Sequence, residues 1–327
     1  MKKLINDPKR YVDESLEGMC LAFPGYKKSG RVIARAAGPA RGKVGVVTGG
    51  GFGHLPVFAG YVGRGMLSSC AVGEVFAGPP VEVCGQAIRA ADGGAGVVCV
   101  LGNYGGDRMS FAQACEDFED GGGKTATVIV ADDVASASSA ERTKRRGVAG
   151  MIFAFKTAGA AADGGASMQE VARVAKHTAD RTRTMGVALS PCLIPGAAAP
   201  GFEVAEGQME LGMGIHGEPG VERRAIATSD EVASSMVERL LADRGTSGGR
   251  VAVLVNSLGA TPLEELLILY RAADALLTQA HVEIAHRYVG HYATSMEMAG
   301  CSISILDLDA EIEGLLTQPT ACPFWPR

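Results

Sequence analysis

Val44-Gly-Val-Val-Thr48, followed at once by Gly49-Gly50-Gly51-Phe52-Gly53-His54, is the stretch on which the fold turns. A short apolar run that stops at glycine reads as a buried strand ending in a tight turn. Leu55-Pro56-Val57-Phe58 is then expected to open a helix. The pattern recurs: Gly96-Val-Val-Cys-Val-Leu101 leads into Gly102-Asn103-Tyr104-Gly105-Gly106-Asp107, and Ala126-Thr-Val-Ile-Val130 into Ala131-Asp132-Asp133. Helical segments at about 80–92 and 108–120 separate these strands, which makes βαβ units and a mainly parallel sheet.

Upstream, Asp7 and Pro8 suit an N-cap and first helical position, and Val12, Leu16, Met19, Cys20 and Phe23 mark one helical face. Downstream, a helical block at about 150–185 holds a turn at Gly159-Ala-Ala-Ala-Asp-Gly-Gly165 and a charged helix from Ser167 to Met185. Prolines and glycines from Ser190 to Gly201 place a boundary near 185–195. Strands at about 187–193, 209–215, 250–256, 283–289 and 302–308 then alternate with helices, two of them opened by capping boxes, Thr228 with Glu231 and Thr261 with Glu264. The expected fold class is α/β, with two α/β domains of mainly parallel or mixed sheets: 1–187 with the glycine loop and Asp107, and 188–327 with His216.

The 327 residues suffice for two medium domains, and 45 glycines exceed the usual share of about 7%. A net charge of −5 and the lack of a Lys/Arg run leave no electrostatic footprint for nucleic acid. No secretory h-region and no stretch of about 20 apolar residues is present, so neither secretion nor a membrane is expected. Eight scattered cysteines without a Cys-x-x-Cys pair suit buried thiols in a reducing cytoplasm and give no support to a metal site.

The strand-end glycine loop favours a pocket, because open α/β sheets place ligands at the carboxyl ends of strands. It is no dinucleotide fingerprint, since His54 stands where the third glycine belongs. Gly121-Gly122-Gly123-Lys124-Thr125 mimics a phosphate loop but has Phe118 at the leading glycine and runs from helix to strand, the wrong order. His216 and Glu218 sit in the stiffened segment Gly212-Met-Gly-Ile-His-Gly-Glu-Pro-Gly220, where the histidine is a candidate catalytic group or a hydrogen-bonded loop residue. Asp107 is a candidate general base or a helix cap, and Asp132 and Asp133 are candidate metal ligands or turn caps, with capping favoured for the pair. His177, His281, His286 and His291 suit surface or structural roles.

Together with Met1-Lys-Lys-Leu-Ile-Asn-Asp7, Arg145-Arg-Gly-Val-Ala149 and Val255-Asn-Ser-Leu-Gly-Ala-Thr-Pro262, these motifs make the chain resemble, nearly end to end, the DhaK family of dihydroxyacetone kinase subunits, also called the DAK1 domain. The resemblance implies two α/β domains with the substrate between them, and a homodimer. It implies a ketose bound covalently to His216 as a hemiaminal, with His54 hydrogen-bonded to a substrate oxygen and Asp107 as base. Gly51, Gly53, Phe52 and Gly102 would contact substrate. No cofactor is expected on this chain. ATP or ADP and Mg2+ would sit on a DhaL-type nucleotide-binding partner, fed where relevant by a phosphotransferase-system donor subunit.

Three positions depart from the family pattern: Phe52 replaces a serine, Leu55 a glutamate and Gly102 a lysine. The first two are expected to make the pocket mouth more apolar, and Gly102 to open space for a ketose longer than dihydroxyacetone, such as erythrulose. A non-catalytic ketose sensor or co-regulator of a transcription factor is the competing reading. Retention of Asp107 argues for catalysis, since a pure binder needs no base.

Overall fold

The computed structural model describes residues 2–325; Met1, Pro326 and Arg327, at the outer ends of the two expected domains and of the first family motif, lie outside them. The chain makes two compact units that are not contiguous in sequence. The first runs to Val130, takes up Met151–Thr178 and closes from Ile312 onward, while the second comprises Ala131–Gly150 and Ala179–Glu311. The single cut expected at 187/188 is therefore replaced by four crossings. Proline and glycine density marked a loop near 190, whereas unit membership follows which sheet a segment packs on.

In the first unit Asp7 accepts the Lys9 amide and caps a single 3-10 turn, Pro8–Arg10. Helix α1 (Tyr11–Ala22) follows, burying Val12, Leu16 and Met19 as its spacing predicts. Then come β1 (Tyr26–Ser29), β2 (Val32–Arg35), β3 (Gly45–Phe52), β4 (Ser69–Val75), α2 (Val81–Ala91), β5 (Val97–Gly102), α3 (Gly105–Asp120) and β6 (Thr125–Val130). The sheet order is β1-β2-β4-β3-β5-β6, with β4, β3, β5 and β6 parallel. Val47, Cys99 and Leu101 pack against Ile88 of α2 and Phe111 of α3. Each such buried Val, Leu, Ile or Phe side chain contributes about 1.5–3 kcal/mol. On the other face Met151, which opens the buried helix α4 (Met151–Asp163), lies against Gly102.

Leu55–Phe58 opens no helix. Val57 and Phe58 are buried, and the Phe58 ring fills the space where a Gly50 side chain would stand, so β3 passes to β4 through a packed loop with one 3-10 turn, Ala59–Tyr61. The turn expected over 159–165 is helical as far as Asp163, because Gly159 lets α4 lie directly on the Met66 backbone. The charged helix α5 (Met168–Asp180) stops before Met185, and β7 (Thr182–Ala188) takes the β-branched residues beyond it.

The second unit adds β8 (Gln208–Leu211), β9 (Glu222–Ala225), α6 (Ser229–Arg244), β10 (Arg250–Ser257), α7 (Leu263–Gln279), β11 (Glu283–Gly290) and β12 (Gly300–Asp307), after which α8 (Ala310–Leu316) returns to the first unit. Its sheet order is β11-β10-β12-β7-β8-β9. Among the described residues only β10 and β11 of this sheet pair in parallel, so the mainly parallel expectation holds for the first unit and the second is mixed. Met236 and Leu240 of α6 and Leu266 and Leu269 of α7 share one core with Val187, Val253 and Ile303. The Thr228–Glu231 capping box forms reciprocally. The Thr261 box does not: its hydroxyl is taken by the Gly300 backbone, and Pro262 is left as the N-cap. Among the described residues no helix is long and apolar enough to cross a membrane.

Candidate active site

Neighbouring parallel strands deliver three connections to one edge of the first sheet. β3 ends in the glycine loop and His54, β4 in Phe76-Ala77-Gly78, and β5 in Gly102 and the start of α3. Glycine is required here by crowding. A Cβ on Gly51 would come within 2.8–2.9 Å of the Phe76 and Ala77 backbone, and Gly53 has φ of +102°, which bulky residues avoid. His54 is fully buried, stacked on Phe76 with centroids 4.9 Å apart and edge-on to Phe58.

Asp107 lies inside α3, not at its cap. The N-cap is Tyr104, which makes no side-chain cap bond, and Asp107 occupies the first turn, where the helix dipole favours a carboxylate. Asp107 is 6% exposed, and its Oδ1 lies so close to Gly78 that a Cβ there would overlap it. The Phe76–Gly78 segment thus touches the glycine loop, His54 and Asp107 together. Sequence reasoning missed it, although Gly78-Pro79-Pro80 beyond an apolar run is a loop signal.

Two expectations about this pocket change. The Phe52 ring is 4% exposed and packs edge-on against Tyr11 at 5.8 Å, so it is committed to α1 instead of lining an open mouth. The space beside Gly102 is already occupied, since a Cβ would lie 3.1 Å from Met151 Sδ and 3.2 Å from the Tyr104 ring. Gly102 therefore opens no room for a longer ligand.

In the second unit β8 stops at Leu211, short of the strand expected to 215, and the chain turns back on itself through His216. The Gly217 amide donates to Gly214 O at 3.1 Å and the Gly214 amide to Glu218 O at 3.0 Å, with Gly217 at φ +84°. Ser295 Oγ donates to Ile215 O at 2.5 Å from the opposite side. His216 Nδ1 is 3.0 Å from Glu218 Oε1, and the His216 amide donates to Glu218 Oε2 at 3.0 Å. Burial works against an ionised Glu218, but the His216 hydrogen bond and charge and two backbone amides outweigh it and bring the carboxyl down to about 2. Glu218 is then an acceptor, so that whenever the imidazole is neutral its proton belongs on Nδ1 and its lone pair on Nε2.

Asp132 and Asp133 serve the backbone. Asp132 accepts the Val148 and Gly150 amides at 2.8 and 2.9 Å, and Asp133 accepts the Ala135 amide at 3.0 Å. Among the described residues no group of three or more His, Cys, Asp or Glu is placed to hold a metal ion. His281 stands at a turn with φ of +59° and His286 lies on β11.

Residues 17–324 match the Dak1 domain. The dihydroxyacetone-binding subunit DhaK of a PTS-dependent dihydroxyacetone kinase of Listeria innocua is 42% identical over 315 residues, 95% of each chain. D-erythrulose kinase of Mycolicibacterium smegmatis is 41% identical over 331 residues, and there the chain spans only 57% of the relative's length. Among solved structures, the dihydroxyacetone kinase operon co-activator DhaQ superposes with a TM-score of 0.89 at 30% identity, covering 94% of this chain and 96% of that one. The dihydroxyacetone kinase of C. freundii does so with a TM-score of 0.89 at 33% identity, covering 99% of this chain and 60% of that one. With nearly its whole length matched by the family and by an equal-length relative, this chain belongs to the Dak1 domain family.

Proposed function

We propose that the chain is the substrate-binding subunit of a two-component ketose kinase, taking dihydroxyacetone or a small keto-sugar such as erythrulose. The observation that carries this is the His216 imidazole held by Nδ1 on an ionised Glu218 within a family whose members include dihydroxyacetone-binding subunits and erythrulose kinases. The Nε2 lone pair bonds to the ketone carbon and the carbonyl π pair moves to oxygen, which takes a proton from water. The Nδ1 proton leaves by way of Glu218 to the hydroxide so formed, which regenerates water and the carboxylate and makes the product a neutral hemiaminal. A small uncharged ketose offers little binding area, and a reversible covalent bond supplies the orientation that hydrogen bonds alone would not. In this reading His54 hydrogen-bonds the substrate oxygen, the Gly51 to Gly53 backbone cradles it, and Asp107 accepts the proton of the hydroxyl attacking phosphorus. The phosphoryl donor, ATP or ADP charged by a phosphotransferase relay, and its Mg2+ sit on a DhaL-type partner.

A sensor role is the second reading, favoured by the close superposition on the DhaQ co-activator. Asp107, buried in the first turn of α3 against the Phe76–Gly78 segment that also stacks on His54, supports catalysis over sensing. The test is to incubate wild-type protein and His216→Ala with dihydroxyacetone and with erythrulose, each carbon-13 labelled at the ketone carbon. A DhaL-type subunit, ATP and Mg2+ are then added. Conversion of the ketone signal to a tetrahedral carbon in wild type alone, and phosphorylation only with the partner, is expected. No adduct in folded wild-type protein sinks ketose capture; turnover with nucleotide but no partner sinks the two-component scheme; an adduct without turnover in the reconstituted system leaves the sensor.

A further inference from the structure

The histidine loop is tied to a second charged pair that the reaction as described does not use. Arg146 Nε donates to Asp133 Oδ2 at 2.8 Å, its Nη2 donates to Gly212 O at 2.8 Å, and its Nη1 lies 4.0 Å from Glu218 Oε2. Both residues are set by their backbones: the Asp133 amide donates to Arg146 O at 3.1 Å, and Ser136 Oγ accepts the Arg146 amide at 3.0 Å. Their side chains are 4% and 13% exposed. Burial pushes the Asp133 carboxyl up to about 6 despite the adjacent guanidinium, so this pair is held at an energetic cost.

Gly214 shows what the arrangement is for. A Cβ at that position would overlap the Glu218 carboxylate and stand 2.6 Å from Arg146 Nη1. The missing side chain is the gap through which Glu218 and Arg146 approach each other, beneath the turn that carries His216. A lone carboxylate could rotate about its side-chain bonds and offer His216 either oxygen or none. With a cation beside Oε2, and the same cation fastening Gly212 O at the entrance of the loop, one orientation is selected.

We propose that Arg146, braced by Asp133, is a positioning residue for the His216–Glu218 pair. It orients Glu218 so that Oε1 accepts the hydrogen bond from Nδ1–H and Oε2 the one from the His216 amide, which keeps the imidazole lone pair on Nε2. The consequence for ketose capture rests on the function proposed above, but the tautomer does not. Arg146 touches no reacting atom in this scheme and acts through Glu218. Its planar fork reaches Asp133, Gly212 O and Glu218 at once, which an ammonium cannot do.

The test reads two quantities on wild type, Arg146→Met, Arg146→Lys and Asp133→Asn, each checked for cooperative unfolding. Nitrogen-15 NMR of the His216 ring reports the tautomer without substrate, and carbon-13 NMR of the labelled ketone reports the adduct. Wild type is expected to hold the proton on Nδ1. Arg146→Met should mix the tautomers and weaken the adduct by roughly 10-fold or more, by analogy with removing the group that orients a metal-bound histidine. Arg146→Lys should recover part of both losses, and Asp133→Asn should reproduce a smaller version. An Arg146→Met protein that keeps both the Nδ1-protonated ring and the wild-type adduct overturns the proposal. If that variant does not fold, an unchanged tautomer and adduct in Asp133→Asn overturn it instead. Wild type that shows the Nδ1 tautomer and its loss in Arg146→Met, yet captures no ketose, keeps the positioning role and removes the kinase reading.

Discussion

The glycine loop of the first unit and the histidine loop of the second hold a histidine by opposite means. Around His54 the chain removes side chains so that backbone and rings can close in: Gly50 lies under Phe58, Gly51 against Phe76, and the imidazole itself is fully buried. Around His216 the imidazole is 22% exposed and is aimed by charge, through Glu218 and Arg146, over a glycine whose missing side chain admits those two groups. Rings and backbone pack around His54, whereas a pair of charged side chains aims His216. Disturbing the first region should therefore cost mainly stability, and disturbing the second mainly chemistry.

The largest expected effect lies at Asp107. Asp107→Asn should lower kcat in the partner-reconstituted kinase by roughly 100- to 10,000-fold, the usual worth of a positioned base, while the ketose adduct persists. Equal loss of the adduct would show that the carboxylate serves binding. Next, Gly50→Ala and Gly214→Ala form a matched pair. Forcing a methyl into the Phe58 ring should cost about 1–3 kcal/mol in urea unfolding. Gly214→Ala displaces the ends of the Glu218 and Arg146 side chains instead of a packed ring, so it should lose the adduct, which Gly50→Ala keeps, at a stability cost no larger than that of Gly50→Ala. Reversal of that order would break the contrast.

A smaller effect concerns pH. The Glu218 carboxyl is lowered from the model-compound range to about 2 in the folded state. Its contribution is therefore fully present above about 4.5 and is lost as pH falls from there through about 2. Discounted for partial exposure, it is on the order of 2 kcal/mol. Glu218→Gln should flatten that part of the stability profile, measured by urea unfolding between pH 5 and 3, and an unchanged slope would mean the pair is not ionic. The smallest is a control: Thr228→Ala removes the cap of α6 and should cost about 1 kcal/mol without altering adduct formation.

The strand–glycine-turn repeats at Val44–His54 and Gly96–Asp107 were legible because buried parallel strands are short apolar runs that stop at glycine. The Thr228 capping box was legible because both of its bonds are local. The Thr261 box carried the same pattern and failed, since the Gly300 backbone of a distant strand claimed the hydroxyl. Among site residues, Glu218 stood in plain view two positions from His216, but its ionised state and aim depend on a turn. Gly78 gave only a loop signal, Arg146 only its place in a family motif and Phe76 neither, because what they touch is set by contacts across the fold.

The α/β class, the strand-end loops and the candidates His54, Asp107 and His216 could be read along the chain, since strand periodicity, glycine turns and motif order are properties of neighbours in sequence. Folding was needed to show that Phe52 packs on Tyr11, that Met151 and Tyr104 fill the space beside Gly102, that the second sheet is mostly antiparallel, and that Arg146 reaches the histidine loop. Those outcomes are contacts between residues far apart in sequence, and the physics that sets them, close packing and the pairing of buried charge, operates only once the chain has folded back on itself.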